Sequence, residues 1–283
     1  MTTLRTAAPQ VVLEIHSASP SAVSLAAAFG LARALGSGVR SVFIEDAELI
    51  SLACLPCARE VSFSGRRSGP VTLAGIEQHM RQASSAVRRH IEELARLAEI
   101  PLQFGVVRDE RERAIASIGA AGTLIALTEP LRGGDAVRLA RLLAEGSADG
   151  VLIVGPRARR TEGAIVAACS TVQDIEDLTA SARSYMTPSL QSIAVLLVAE
   201  DRLRALELEA AAHRLAEHMG RIEIGVLNLA THGPEALGLL LSRLEAGLLV
   251  AGAHGLFSPA SGALTRLTAM LECPLLLLRR RVG

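Results

Sequence analysis

The chain has 283 residues, half of them apolar, with 29 basic and 29 acidic residues and a formal net charge of zero. That balance argues against a dedicated nucleic-acid binder, and five Phe, one Tyr and no Trp leave little on which bases could stack. Every basic residue is Arg, which excludes a P-loop for want of its Lys, and four Cys in this length do not suggest a disulfide-stapled secreted fold.

The N-terminal MTTLRTAAPQ lacks the apolar core of a signal peptide, and no apolar run approaches a membrane span, so a soluble cytoplasmic protein is expected. The length suits one large domain or two of ordinary size. Val11 to Ile15 is a β-branched-rich run that reads as a strand. Ser19-Pro20-Ser21 then starts a helix, with Ser19 at the N-cap, Pro20 at the first helical position and Leu25, Phe29 and Leu35 inward. Val39 to Ile44 is a second strand. Glu45 to Pro70 reads as an irregular excursion that holds Cys54-Leu55-Pro56-Cys57, and it is expected to pack over the sheet edge through Leu49, Leu52 and Leu55. The most regular helical stripe follows: Ile76, Met80, Ala83, Val87, Ile91, Leu94 and Ala98 step by three and four. Strands at Pro101 to Val107, Leu124 to Leu127 and Val151 to Val154 alternate with helices at Arg111 to Ala121 and Asp135 to Glu145.

After the polar connector Gly155 to Arg160 the order restarts. Strands are expected at Ala164 to Ala168, Ile193 to Val198, Ile222 to Leu229 and Leu248 to Val250. Helices are expected at Ile175 to Tyr185, at Leu203 to Met219 with Leu203, Leu206, Ala210 and Leu215 inward, and at Pro234 to Glu245. The last stretch turns on Gly252, His254 and Gly255, runs through a loop with Ser261 and Gly262, forms a helix through Leu264, Leu267 and Leu271, and ends in a strand from Leu275 to Leu278. Alternating strands and helices imply parallel sheets covered on both faces, here in two successive halves. A glycine turn between strand and helix can present backbone N–H groups to a phosphate, and it equally serves as a plain tight turn.

Gly252-Ala253-His254-Gly255, the following helix and Cys273-Pro274 before the last strand resemble the universal stress protein family, whose fourth strand ends in G-x2-G-x9-G-[ST]. The resemblance covers about Val11 to Arg280. It implies two universal-stress-protein-like domains, residues 1–156 and 157–283. Each would be a doubly wound α/β unit with a parallel five-stranded sheet in the order 3-2-1-4-5, of the adenine nucleotide alpha hydrolase kind. It also implies a role in bacterial stress survival or signalling, a homodimer or a pseudo-dimer of the two halves, and a protein partner.

Nucleotide-binding members of the family carry an acidic residue after strand one, where this chain has His16 in the first half and Cys169 in the second. Past the nine-residue spacer after Gly255 stand Thr265 and Arg266, and Ser261-Gly262 is the nearest stand-in for the missing Gly-Ser pair. In the first half Gly133-Gly134 falls after strand four, but the turn itself is Leu127-Thr128-Glu129-Pro130, with a carboxylate where a phosphate would lie. The expectation is therefore a regulatory or interaction protein with no cofactor and no catalysis. The alternative is an ATP binder, or a slow ATPase, that uses Gly252, His254, Gly255, Ser261 and Gly262, with His254 either touching phosphate or bonding the backbone of its own turn. Cys54 and Cys57 lack the second ligand pair that zinc needs. His213, Glu217 and His218 on one helix, Arg88-Arg89, and Arg157, Arg159 and Arg160 read as solvated surface.

Overall fold

The computed structural model describes residues 10–55, 57–61, 68–129, 139, 143, 148–219, 223–228, 236–259 and 263–279. Gly133, Gly134, Ser261 and Gly262 lie outside these residues, as does most of the expected helix from Asp135 to Glu145; Leu139 and Leu143 from it are helical and buried.

In the first half the elements are β1 (Gln10–Ile15), α1 (Ala22–Ala34), β2 (Val39–Asp46), α2 (Ala47–Ala53), β3 (Arg59–Val61), β4 (Ser68–Pro70), α3 (Leu73–Ala98), β5 (Leu102–Asp109), α4 (Arg111–Ile118), β6 (Thr123–Leu127) and β7 (Gly150–Ile153). The second half contributes β8 (Gly163–Cys169), α5 (Val172–Ser184), β9 (Leu190–Ala199), α6 (Arg202–Met219), β10 (Glu223–Asn228), α7 (Ala236–Arg243), β11 (Ala246–Gly252), α8 (Ala263–Met270) and β12 (Leu275–Leu278).

Within each half every pairing of the main sheet is parallel, and the order is β5-β2-β1-β6-β7 in one and β10-β9-β8-β11-β12 in the other. Both are 3-2-1-4-5. Two separate sheets are the expectation from sequence; the structure instead has one ten-stranded sheet, joined where β12 pairs antiparallel with β7 from Leu275–Ile153 to Leu278–Gly150. The reason lies in those two strands. GVLI and LLLL are short and apolar throughout, and either would be an adhesive edge if left unpaired. Their antiparallel union turns the amino end of β7 toward the carboxyl end of β12.

Alternate strand residues feed two cores, one on each face. Val11, Leu13, Leu248 and Val250 pack with α1, α3, α5 and α6, whereas Val12, Leu249 and Ala251 pack with α4, α7 and α8. The stripe on α3 lies inward as expected at Met80, Val87 and Ile91. Three local expectations are corrected. The N-cap of α1 is Ser21, whose hydroxyl accepts from the Ser24 N–H, not Ser19. The inner face of α6 is Ala205, Leu208, Ala211 and Ala212, while Leu203 is 80% and Leu206 54% exposed. Small alanines let this helix approach β9; of the four residues expected inward, Ala210 is exposed as well and only Leu215 packs against the core. The excursion is not irregular either: β2 continues to Asp46, which caps α2, and β3 pairs with β4. Its Leu49, Leu52 and Leu55 are 46–51% exposed, so they do not cover the sheet edge.

Candidate functional site

In an open α/β sheet the ligand-binding crevice lies at the carboxyl ends of the strands, where the strand order reverses. Each half has such a point: between β8 and β11 in the second half, and between β1 and β6 in the first.

In the second half, β8 ends at Cys169 and the chain turns into α5 through Ser170 and the N-cap Thr171. The Asp174 N–H donates to Thr171 Oγ1 (3.1 Å), and one Asp174 carboxylate oxygen accepts from the N–H groups of Thr171 (2.8 Å) and Ser170 (2.9 Å) and from Ser170 Oγ (3.2 Å). The other oxygen lies 3.0 Å from His254 Nε2, and His254 Nδ1 lies 3.4 Å from Ser170 Oγ. Burial alone would raise the Asp174 pKa; the bond to His254, the His254 charge and the donors of Ser170 and Thr171 outweigh it and hold the carboxyl down at about 2. The imidazole is thus bound to a carboxylate, and the expectation that His254 bonds backbone in its turn is corrected.

Both glycines serve this arrangement. A Cβ on Gly252 would stand 2.5 Å from His254 Nε2, so the bare α-carbon makes room for the folded-back ring. Gly255 has φ +55°, a left-handed conformation that glycine takes without strain, and it opens the short 3-10 turn Gly255–Phe257.

The first half closes its crevice in another way. His16, after β1, stands with Nδ1 2.9 Å from Glu14 Oε1 and Nε2 2.8 Å from Glu129 Oε2. Arg111, at the start of α4, reaches Glu14 Oε1 at 3.1 Å. Glu14 is fully buried on β1. Burial pushes its carboxyl up, but the His16 bond and the charges of Arg111 and His16 bring it below the usual carboxylate range. His16 and Glu129, which stand out in the sequence as departures, are therefore direct partners. Nothing in a period-two strand pattern announces a buried Glu14, and Arg111 is remote in sequence.

On the face that carries α5, a groove of about 360 Å³ opens at the carboxyl end of the second half's strands, which is the amino end of β6 and β7. One wall is the α5 stripe Asp174, Asp177, Leu178, Ser181, Ser184 and Tyr185; the other is the seam, with Leu124 and Asp149 from the first half and Leu278 and Arg279 from the second. Arg279 ties the seam by its N–H to the Asp149 carbonyl (2.9 Å) and its Nη2 to Asp149 Oδ1 (3.0 Å). Gly252 and His254 also line the groove. Of these, only Gly252 and His254 are candidate residues from sequence. Asp174 had one readable signal, a Thr171-x-x-Asp174 spacing that fits a capping box.

The remaining candidates do not converge on either crevice. Cys54 and Cys57 are exposed free thiols, and among the described residues no group of three or more His, Cys, Asp or Glu side chains is placed to hold a metal. His213 and Glu217 are exposed on α6. Arg88 pairs with Glu92, and Arg159 donates to the carbonyls of Pro156 and Ala158. Among the described residues no helix is long and apolar enough to cross a membrane.

No protein-family model matches the sequence, and no curated protein matches it. Solved structures do. A universal stress protein from Archaeoglobus fulgidus DSM 4304 is 12% identical, with 97% of each chain covered and a TM-score of 0.63. A putative universal stress protein from Pseudomonas aeruginosa UCBPP-PA14 is 16% identical over 96% of this chain and 93% of its own, with a TM-score of 0.59. The cytoplasmic domain of a prokaryotic cation chloride cotransporter is 12% identical over 95% and 94%, with a TM-score of 0.53. Over nearly its whole length, from the first crevice to the second, this chain has the fold of universal stress proteins.

Proposed function

We propose that the protein is a universal-stress-protein-like regulatory or interaction protein of the bacterial cytoplasm, not an enzyme, and that it holds no nucleotide tightly. One observation carries this reading: the protein's own carboxylates occupy both crevices. Asp174 stands at the mouth between β8 and β11, and Glu14 and Glu129 stand between β1 and β6. A phosphate charge about 4 Å from such a carboxylate meets a repulsion of about 4 kcal/mol at the effective dielectric of a protein surface. Their ion-pair partners offset part of this but are already engaged. The donors that a phosphate would use in the second half, the N–H groups of Ser170 and Thr171, are bound to Asp174.

The competing reading, an ATP binder or slow ATPase working through the second half, has in its favour the left-handed turn at Gly255. Against it, the space over Gly252 is taken by the His254 ring. The pairing of β7 with β12 supports a pseudo-dimer of the two halves, whose outer faces would then engage a protein partner. Mass spectrometry of small molecules carried through native purification tests the reading. No adenine nucleotide is expected, and a stoichiometric nucleotide would overturn it.

A further inference from the structure

The groove beside α5 is unused by the regulatory reading. Its lining has three carboxylates, Asp149, Asp174 and Asp177, against one guanidinium, Arg279, and one imidazole, His254. Negative charge is in excess whichever protonation state His254 takes. Asp149 is paired with Arg279 and Asp174 with His254, whereas Asp177 accepts from the Gln173 side-chain amide, an uncharged group.

A second feature is independent of charge. Ser181 Oγ donates its proton to the Asp177 carbonyl (2.8 Å), and Ser184 Oγ donates to the Ser181 carbonyl (2.6 Å). With their protons spent on the helix backbone, both hydroxyls offer the groove only lone pairs. The wall formed by Asp177, Ser181 and Ser184 is therefore a row of acceptors. Along the helix axis the three are separated by about 6 Å and then about 4.5 Å, at 1.5 Å per residue. The apolar side chains of Leu178 and Leu278 line the same space.

We propose that this groove binds an elongated organic polycation of the polyamine class, with its ammonium groups on Asp177, Ser181 and Ser184 and its methylenes against Leu178 and Leu278. The axial rise between these residues is close to the spans of amines separated by four and then three methylenes. The volume lies at the lower end of small-molecule sites, about 300–1,000 Å³. An anion is disfavoured by the same lining. Because the groove draws on Leu124 and Asp149 of the first half, the bound cation would bridge the two halves. Asp177, Ser181 and Ser184 are not among the side chains on which the nucleotide reading rests, so polyamine titration and nucleotide titration fail separately.

The test is calorimetric titration of the full chain with spermidine at low ionic strength. One saturable site per chain is expected. Asp177→Asn and Ser181→Ala should each weaken it by about tenfold or more, as expected for the loss of a charge-assisted hydrogen bond. Glu176→Gln removes the same charge from the adjacent, likewise exposed position on α5, which does not line the groove, and should change affinity by no more than about twofold. Thermal melts of each variant keep loss of binding separate from loss of fold. Absence of saturable binding overturns the proposal. So does an equal effect of Asp177→Asn and Glu176→Gln, or complete displacement by magnesium at matched charge, since either would mean diffuse charge screening.

Discussion

His254 Nε2 lies 3.0 Å from Asp174 Oδ1, which ties the end of β11 to the first turn of α5 across the mouth of the second half. The two residues are 80 positions apart, and each is held by its own turn: Asp174 by the capping box with Thr171, His254 by the space above Gly252. Removing Asp174 orphans the N–H groups of Ser170 and Thr171 and the imidazole together. Asp174→Ala should cost about 2 kcal/mol or more, and His254→Ala about 1–2 kcal/mol because Asp174 keeps its backbone donors. A double-mutant cycle by urea denaturation should give a coupling of about 1 kcal/mol or more. Strict additivity would mean that the contact contributes nothing.

Gly252→Ala provides a test of why that glycine is there. The added methyl would meet His254 Nε2 at 2.5 Å and Cδ2 at 2.8 Å, so the ring must leave its seat. A loss of about 1–3 kcal/mol is expected, as for other overpacked sites. In the His254→Ala background the same change should cost little, because the obstruction is gone. An undiminished cost there would place the need for glycine elsewhere.

The pH dependence of stability follows from Asp174. Its folded pKa of about 2 is below its ordinary value of 3.8, so its contribution is fully present above about pH 4 and is lost as pH falls through 2. The amount is on the order of 2 kcal/mol. Glu14 is shifted in the same direction and adds acid sensitivity of its own, so the informative quantity is the difference between wild type and Asp174→Asn. That difference should shrink between pH 4 and pH 2. A gap that is constant across this window would show that the carboxylate is not selectively stabilised in the fold.

In the first half, Glu14→Ala removes the shared partner of His16 and Arg111 from a fully buried position. Truncating one member of a buried ionic cluster leaves charge uncompensated, and a loss of about 3 kcal/mol is expected in chemical denaturation. A change below about 0.5 kcal/mol, the range of ordinary surface substitutions, would show the cluster to be dispensable for stability.

The continuous sheet predicts joint unfolding. With β7 and β12 paired through Ile153–Leu275 to Gly150–Leu278, neither half keeps a protected edge without the other. The full chain should melt in one calorimetric transition with equal calorimetric and van't Hoff enthalpies. A fragment of residues 157–283 should self-associate through its exposed LLLL strand, as unprotected edges do. Two separate transitions and a monomeric fragment would mean that the seam is only a contact.

Strand positions and the long helix α3 were legible in the sequence because apolar runs and three-four patterns are local, whereas the strand order within each half came only with the family resemblance. The joining of the halves was not, since an apolar run such as Leu275 to Leu278 does not name the strand beside it. The face of α6 was misread because Leu203 and Leu206 carry the stronger hydrophobic signal, yet Ala205, Ala211 and Ala212 allow the closer approach. In the site, Gly252, His254 and Gly255 stood out as a motif, and the structure brings them to one crevice. The resemblance places an acidic residue at the end of β8, near Cys169, whereas the carboxylate comes from Asp174, one turn inside α5. Ser261 and Gly262 lie outside the described residues.

Asp174 with His254, and Glu14 and Glu129 with His16, stand in the two crevices where a nucleotide would have to lie. Calorimetric titration of the intact chain with ATP and magnesium tests this most directly. Losing two phosphate contacts moves a micromolar site toward the millimolar range, at about 1.4 kcal/mol per tenfold. The account predicts no saturable binding at micromolar ATP and no ATP hydrolysis above background. A micromolar dissociation constant that Gly255→Val abolishes would contradict it, by showing that the β11 turn still holds a nucleotide despite Asp174 and His254.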